Sequence, residues 1–382
     1  MTFLLPTLEQ AALRDSTVRF IRDTMPMTAV RRRADDARAD QGLPADLSDY
    51  ARRAAPLGWF APFVAEDYGG GSVSGHAIVE AALIAEQRGR HVQPGGFSST
   101  TVVAASVQGA GRPEQREEWL PQLASGSVAA TWGVSPPGGP WTTAVESKAA
   151  RAGDQIVIDG AYGYVESAAG ADVALLATIL EGGLAHLLVP LATPGVSVNP
   201  LRTLDLAGDL SELILREVTV DLSALLAMSP ADSARLLEEQ LQLAAVLVLC
   251  DSLGAMGRLL EISVEYAKTR VAFGRPIGSF QAVKHMLADA SMLVNGSRAV
   301  VSAAVEAVDG GRDDAAEIVS IAKAFVSDSS ADVANTCLQV HGGIGYAWEY
   351  DLHFFMRRLA SDSAMFGGSR FHRDRVCALQ GL

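Results

Sequence analysis

The chain has 382 residues, 49 % of them hydrophobic and 20 % charged, and a formal net charge of −13. That acidity argues against nucleic acid as a partner, because duplex binding needs a basic face that displaces counterions. Three cysteines, Cys250, Cys337 and Cys377, lack a Cys-x-x-Cys spacing, and the seven histidines form no ligand-spaced cluster, so neither a disulfide framework nor a metal site is expected.

The N-terminus lacks the basic start, apolar core and small-residue cleavage site of a secretory signal. No uninterrupted apolar run reads as a membrane span. The expectation is a cytoplasmic protein with no membrane partner, long enough for two or three domains.

In chain order, Leu8–Thr24, Asp46–Leu57, Ser74–Arg88 and Pro113–Ala124 carry helical periodicity, punctuated by Gly58, Gly69-Gly-Gly71 and Pro94-Gly-Gly96. Arg112-Pro113 followed by acidic residues is a helix start favoured by the dipole. At Ser127 the period changes. Val128–Ser135, Gln155–Ile158, Val173–Ala177, Ala185–Val189 and Leu213–Val220 are short β-branched or alternating runs, which predicts an antiparallel sheet or small barrel. Gly153-Asp154 predicts a hairpin turn between Lys148–Ala152 and Gln155–Ile158. From about Ala231 the pattern is helical again, turning at Gly274–Gly278, Gly310-Gly311 and Gly342–Gly345, as three or four long helices in an up-and-down bundle would. The fold class expected is α+β, with a helical domain over 1–126, a β domain over 127–229 and a helical bundle over 230–382.

The stretch Arg270-Val-Ala-Phe-Gly-Arg-Pro-Ile-Gly-Ser-Phe-Gln281 ends the first long helix in a tight turn, with Ser279 as the expected N-cap of the next. An arginine there is placed to hold an anionic group with its forked donors, or it is a surface residue at a helix corner. A second stretch, Gln339-Val-His-Gly-Gly-Ile-Gly-Tyr346, follows at the base of a later helix. Together the two resemble the paired signatures of the acyl-CoA dehydrogenase flavoprotein family, Arg-x-x-Phe-Gly and Gln-x-x-Gly-Gly-x-Gly-Tyr, and the helical, β, helical order extends the likeness over the whole chain.

The resemblance implies FAD as cofactor, an acyl-CoA thioester as substrate, and electron-transfer flavoprotein or a similar acceptor as redox partner. It also implies a flavin site with two sides, the ring system held by one subunit and the adenosine diphosphate by its neighbour. On the neighbour's side it assigns Arg270 to the pyrophosphate, Phe273 and Gln281 to the adenosine region, and Gln339, Gly342 and Gly343 to the glycine-rich turn.

Elsewhere the family pattern is broken. The reaction needs a positioned carboxylate to take the α-proton while hydride leaves to the flavin. The family's two base positions fall here on Phe366 and Ala244, neither of which accepts a proton; the nearest acids to them include Asp251, Asp362 and Asp374. The ring-side Thr-Glu-Pro-Gly-x-Gly-Ser-Asp reads Ser135-Pro-Pro-Gly-Gly-Pro-Trp-Thr142, and the Trp-x-Thr reads Tyr164-Val-Glu166, an acceptor-only side chain where a hydroxyl donor is expected. One half-site is kept and the other altered. The pattern resembles the glutamate-less subunits of bacterial heteromeric acyl-CoA dehydrogenases that act on steroid side chains. Their partner is a homologous glutamate-bearing subunit. A self-sufficient dehydrogenase with another base, a flavin-free scaffold and a flavin-dependent oxygenase on the same fold stand as alternatives.

Overall fold

A computed structural model describes residues 6–40 and 47–382. The N-terminal part is helical: α1 (Leu8–Thr24), α2 (Met27–Asp40), α3 (Ser48–Ala54), α4 (Ala77–Arg90), α5 (Phe97–Ala110) and α6 (Pro113–Ala124). The start of α1 is fixed by a capping box in which Thr7 and Gln10 satisfy each other's backbone N–H, and α6 starts with Pro113 in its first turn. The expected helix from Asp46 begins outside the described residues; from Ser48 on it is α3 and a 3-10 turn, Ala55–Leu57. Two helices depart from the sequence expectation. The Arg/Asp-rich α2 carries too few apolar residues to show a stripe, and α5 holds a run of Thr and Val, which favour strands in isolation. Tertiary burial overrides that preference, because Val102, Val103 and Val107 are all core residues.

The middle part is a sheet of β1 (Ala130–Gly133), β2 (Lys148–Ala152), β3 (Gln155–Glu166), β4 (Val173–Leu180), β5 (Gly183–Pro190), β6 (Val196–Pro200) and β7 (Leu210–Asp221). The predicted hairpin is present, with Gly153 at φ +65° between β2 and β3. Most strand pairs are antiparallel as expected, with one correction: β4 runs parallel to β1 along one part of its edge and parallel to β2 along another, with antiparallel β5 on its other side. Alternation within a strand reports which face is buried but says nothing of the direction of a partner distant in sequence.

The C-terminal part holds α7 (Pro230–Thr269), a two-residue hairpin of β8 (Val271–Ala272) and β9 (Arg275–Pro276), then α8 (Gln281–Asp309), α9 (Ala315–His341), α10 (Leu352–Ala364) and α11 (Ser369–Leu379). Ser229 caps α7 by accepting from the Asp232 N–H, and Pro230 follows at its first position. The expected cap Ser279 is also corrected: it lies in a 3-10 turn, and Phe280 precedes the first residue of α8 without a side-chain cap. The chain turns at Phe273 (φ +51°) and Gly274 (φ +78°), the pair of positive φ values that a primed two-residue hairpin requires.

By length and composition α7 is long and apolar enough to cross a bilayer, but 78 % of its most apolar window is buried inside the fold. It is the central core helix, packed on α4, α8, α9 and α10. Its crossing with α4 is unusually close. A Cβ on Gly89 would stand 1.8 Å from the Asp251 carbonyl oxygen, and one on Gly254 would stand 1.9 Å from that of Glu86. Only glycine allows this approach, and it sets Asp251 directly against α4.

Candidate functional site

Two places in the molecule gather the residues singled out in the sequence. The first is interior, where the loop between α10 and α11 meets β1 and the segment after it. Phe366 stands there at φ +57° and only 5 % exposed. Its ring lies 5.7 Å from that of Trp132 and 5.8 Å from that of Trp141, and Trp141 continues to Phe371 at 6.2 Å. Trp132 is locked by donating its indole N–H to Gln240 Oε1 (3.0 Å), whose amide donates to Ser106 Oγ (3.0 Å). His372 fixes the loop by bonding the Phe366 carbonyl at 3.0 Å, and burial beside Lys323 lowers the pKa of that imidazole to about 3. Ala244 is fully buried on α7. Neither place holds a proton acceptor, and the first is filled by close-packed rings.

The segment expected to line a flavin ring is committed to holding itself together. Ser135 Oγ accepts the Thr142 N–H at 3.1 Å, its carbonyl accepts the Gly163 N–H at 2.8 Å, and Tyr164, at φ +57°, donates its hydroxyl to the Gly139 carbonyl. Glu166 turns away, to the start of α5, where it accepts both the backbone N–H and the hydroxyl of Ser99 at 2.9 Å each. A carboxylate suits a helix N-terminus, yet burial holds its pKa above the usual range against the pull of Ser99 and Arg88.

Beneath Phe366 lies a group that the sequence reading left largely unassembled. A cavity of about 50 Å³ is bounded by Met365 and Phe366 and by Glu166, Asp205, Asp251, Arg358 and Asp362. Arg358 stands 3.2 Å from Asp205 and 3.8 Å from Asp251, and it donates to the Gln93 carbonyl at 2.6 Å. Burial opposes its charge, but Asp205 and Asp251 outweigh that and raise its pKa. Burial raises both Asp251 and Asp362 above the carboxylate range, and Asp362 Oδ2 accepts the Ser252 hydroxyl at 3.1 Å. Lys323, one of only four lysines, donates to the Asp362 and Ser363 carbonyls at 2.7 and 3.2 Å, and burial lowers its pKa to about 7. The one available signal in the sequence was Asp251, a lone carboxylate closing the apolar run Leu243–Cys250; the rest depends on tertiary packing.

The second place is the outer end of the C-terminal bundle. Arg270 caps the end of α7, its N–H donating to the Tyr266 carbonyl and its own carbonyl accepting the Ile277 N–H, both at 2.8 Å. Its side chain is exposed and has no carboxylate within ion-pair range among the described residues. Phe273 is 95 % exposed, and Gln281, Gln339, Gly342 and Gly343 also face solvent. Tyr266 stacks on His341 at 4.4 Å, and His341 bonds the Tyr350 hydroxyl at 3.1 Å. That stack joins the end of α7 to the end of α9, so the two sequence signatures share one end of the bundle. Arg275 is exposed too, but its guanidinium lies 4.1 Å over the Phe280 ring.

Residues 7–127 match the acyl-CoA dehydrogenase N-terminal domain and residues 234–378 the acyl-CoA dehydrogenase C-terminal domain. The chain is 34 % identical over 329 residues to acyl-CoA dehydrogenase FadE34 of Mycobacterium tuberculosis, covering 85 % of this chain and 41 % of that protein. It thus spans about two fifths of that relative's length. Among solved structures it is similar to the ChsE4-ChsE5 complex from Mycobacterium tuberculosis, with a TM-score of 0.86 at 25 % identity over 100 % of this chain and 99 % of the other. A Tcur3481-Tcur3483 steroid ACAD gives a TM-score of 0.86 at 26 % identity, over 98 % of each chain.

Proposed function

Because the chain belongs to the acyl-CoA dehydrogenase family, we propose that it is one subunit of a hetero-oligomeric, FAD-dependent dehydrogenase, lending its outer corner to a flavin held by a homologous glutamate-bearing partner. The observation that carries this reading is the aromatic packing of Phe366 with Trp132 and Trp141, which leaves neither a base nor room for an oriented thioester where the family's chemistry takes place. The likeness to two-component complexes supports the same reading. The substrate class it implies is the acyl-CoA thioester of a steroid side chain.

FAD, where bound, supplies the hydride acceptor. The residues of the corner fit its adenosine diphosphate part: Arg270 offers an unpaired, forked cation for the pyrophosphate. Phe273 and Gln281 offer an apolar face and an amide for the adenosine. Gln339 with Gly342 and Gly343 leaves backbone accessible for close approach. The interior residues do not fit the ring, since Tyr164 and Ser135 are engaged within their own segment and Glu166 faces α5. In such a complex the partner's glutamate would serve as the base for the α-proton, and an electron-transfer flavoprotein or a similar acceptor would take up the electrons.

A self-sufficient dehydrogenase retains one supporting observation, the carboxyls of Asp251 and the buried Asp362 at the cavity under Phe366. Flavin content separates the two readings. Purified alone, the chain is expected to be colourless or weakly yellow, and co-purified with the glutamate-bearing homologue it is expected to join a yellow complex that reduces a dye acceptor. One tightly bound FAD per isolated chain sinks the subunit reading and restores the self-sufficient enzyme.

A further inference from the structure

On the other side of the Pro94-Gly95-Gly96 turn from the charged cluster lies a larger cavity, about 250 Å³, that the dehydrogenase reading does not use. Four rings, Tyr50, Trp59, Phe60 and Phe97, border it. Trp59 meets Tyr50, at 5.8 Å, and Phe97, at 5.9 Å, edge to face. Edge-to-face packing of this kind makes a stiff, preformed wall. One cation stands in it. Arg88 is 5 % exposed, with its guanidinium 5.2 Å over both the Trp59 and the Phe97 rings.

The partners of Arg88 are all neutral. One amino group donates to the Pro94 and Gly95 carbonyls, at 2.8 Å each, and no carboxylate lies within ion-pair range among the described residues. Burial lowers the pKa of Arg88; Tyr50, Asp251 and Glu166 favour its charge without outweighing that burial, and Arg358 opposes it. The acids that do border the cavity are already engaged, Asp172 with the Ala129 N–H and Asp209 with the Ser167 hydroxyl. A buried cation without an anion is expensive, and its cost falls when an anion arrives.

We propose that this cavity binds a compact apolar organic acid, with its ring body among Tyr50, Trp59, Phe60 and Phe97 and its carboxylate on Arg88. A cavity of about 150 Å³ takes benzene. By that scale the space here suits an acid of roughly ten to twelve heavy atoms. Sites of this make-up, mostly apolar with one placed charge, are the usual form of a small-molecule pocket. The inference concerns this chain alone and does not depend on which subunit holds the flavin.

The test is calorimetric titration of the purified chain with cinnamate and with its uncharged isostere cinnamamide. Saturable binding of the acid, at least tenfold tighter than the amide, is expected. Arg88→Met should bring the acid down to the level of the amide. Because a buried arginine can matter for folding, a second variant, Ala129→Phe, fills the cavity without touching the cation and should abolish binding of both compounds; circular dichroism confirms that each variant is folded. Absence of saturable binding in the parent chain, equal affinity for acid and amide, or undiminished binding in a folded Ala129→Phe chain would each overturn the proposal.

Discussion

The interior around Phe366 and the corner around Arg270 descend from the same family pattern and differ in what surrounds them. In the interior, the residues standing where the base and the flavin ring are expected have internal partners: rings against rings, Ser135 with Thr142, Glu166 with Ser99. At the corner, Arg270, Phe273 and Gln281 face solvent, and among the described residues no carboxylate pairs with Arg270. Side chains satisfied within the fold serve its stability; an exposed aromatic beside an unpaired arginine contributes almost nothing to it. The corner's composition therefore points to something outside the chain.

That contrast can be broken by substitution, beginning where the effect is largest. Phe366→Ala removes a ring packed between two tryptophans and should destabilise the fold by about 3–5 kcal/mol, read from urea unfolding. A much smaller loss would mean that the rings do not form a packed plug. Phe366→Glu should not create a dehydrogenase, because a base acts only beside an oriented thioester. Steady-state assays with a panel of acyl-CoAs and a dye acceptor test this, and turnover clearly above the parent would show that the interior is still a working site.

Next comes a pH effect in the α4–α7 packing. Burial raises Glu86 to about 7, with Arg298 at 3.8 Å only partly offsetting it. Between its ordinary value of 4.5 and about 7 the folded chain holds a proton that the unfolded chain has released, so stability falls as pH rises through that window. Glu86→Gln removes this loss. At pH ~8 the variant should be more stable than the parent by on the order of 2–3 kcal/mol, and the advantage should shrink toward pH ~4.5. An advantage that is independent of pH would place the cause elsewhere.

The smallest effect belongs to the corner. Phe273→Ala, at a residue 95 % exposed, should change the stability of the isolated chain by no more than ~0.5 kcal/mol. The same substitution should weaken assembly with the partner, measured by analytical ultracentrifugation. A large stability loss with unchanged assembly would make the corner structural after all.

Much of the architecture was legible in the sequence. The periodicity placed Leu8–Thr24 and Pro113–Ala124 within the helices observed, and the Gly153 turn gave the β2–β3 hairpin. What escaped was tertiary in origin: α5, helical because its valines are buried, and the parallel edge of β4, which joins strands remote in sequence. The site divides in the same way. The corner residues were legible because a local turn and its signature fix them. The charged cluster of Arg358, Asp362 and Lys323 was not, because three helices and a loop bring it together, and no periodicity records a buried ion pair.

The role of the corner is decided by what Arg270 does in the assembled complex. Arg270→Ala and Arg275→Ala are each co-purified with the glutamate-bearing partner, and FAD per complex and dehydrogenase rate are measured. An unpaired buried phosphate costs ~2–5 kcal/mol, and each ~1.4 kcal/mol is tenfold in affinity. Arg270→Ala should therefore lower FAD affinity at least tenfold. Arg275, stacked 4.1 Å over the Phe280 ring, should lose only the ~0.5–1 kcal/mol of an exposed cation–π contact and keep its flavin. Full flavin retention in Arg270→Ala, or equal loss in both variants, would contradict the claim that this corner holds the cofactor of another chain.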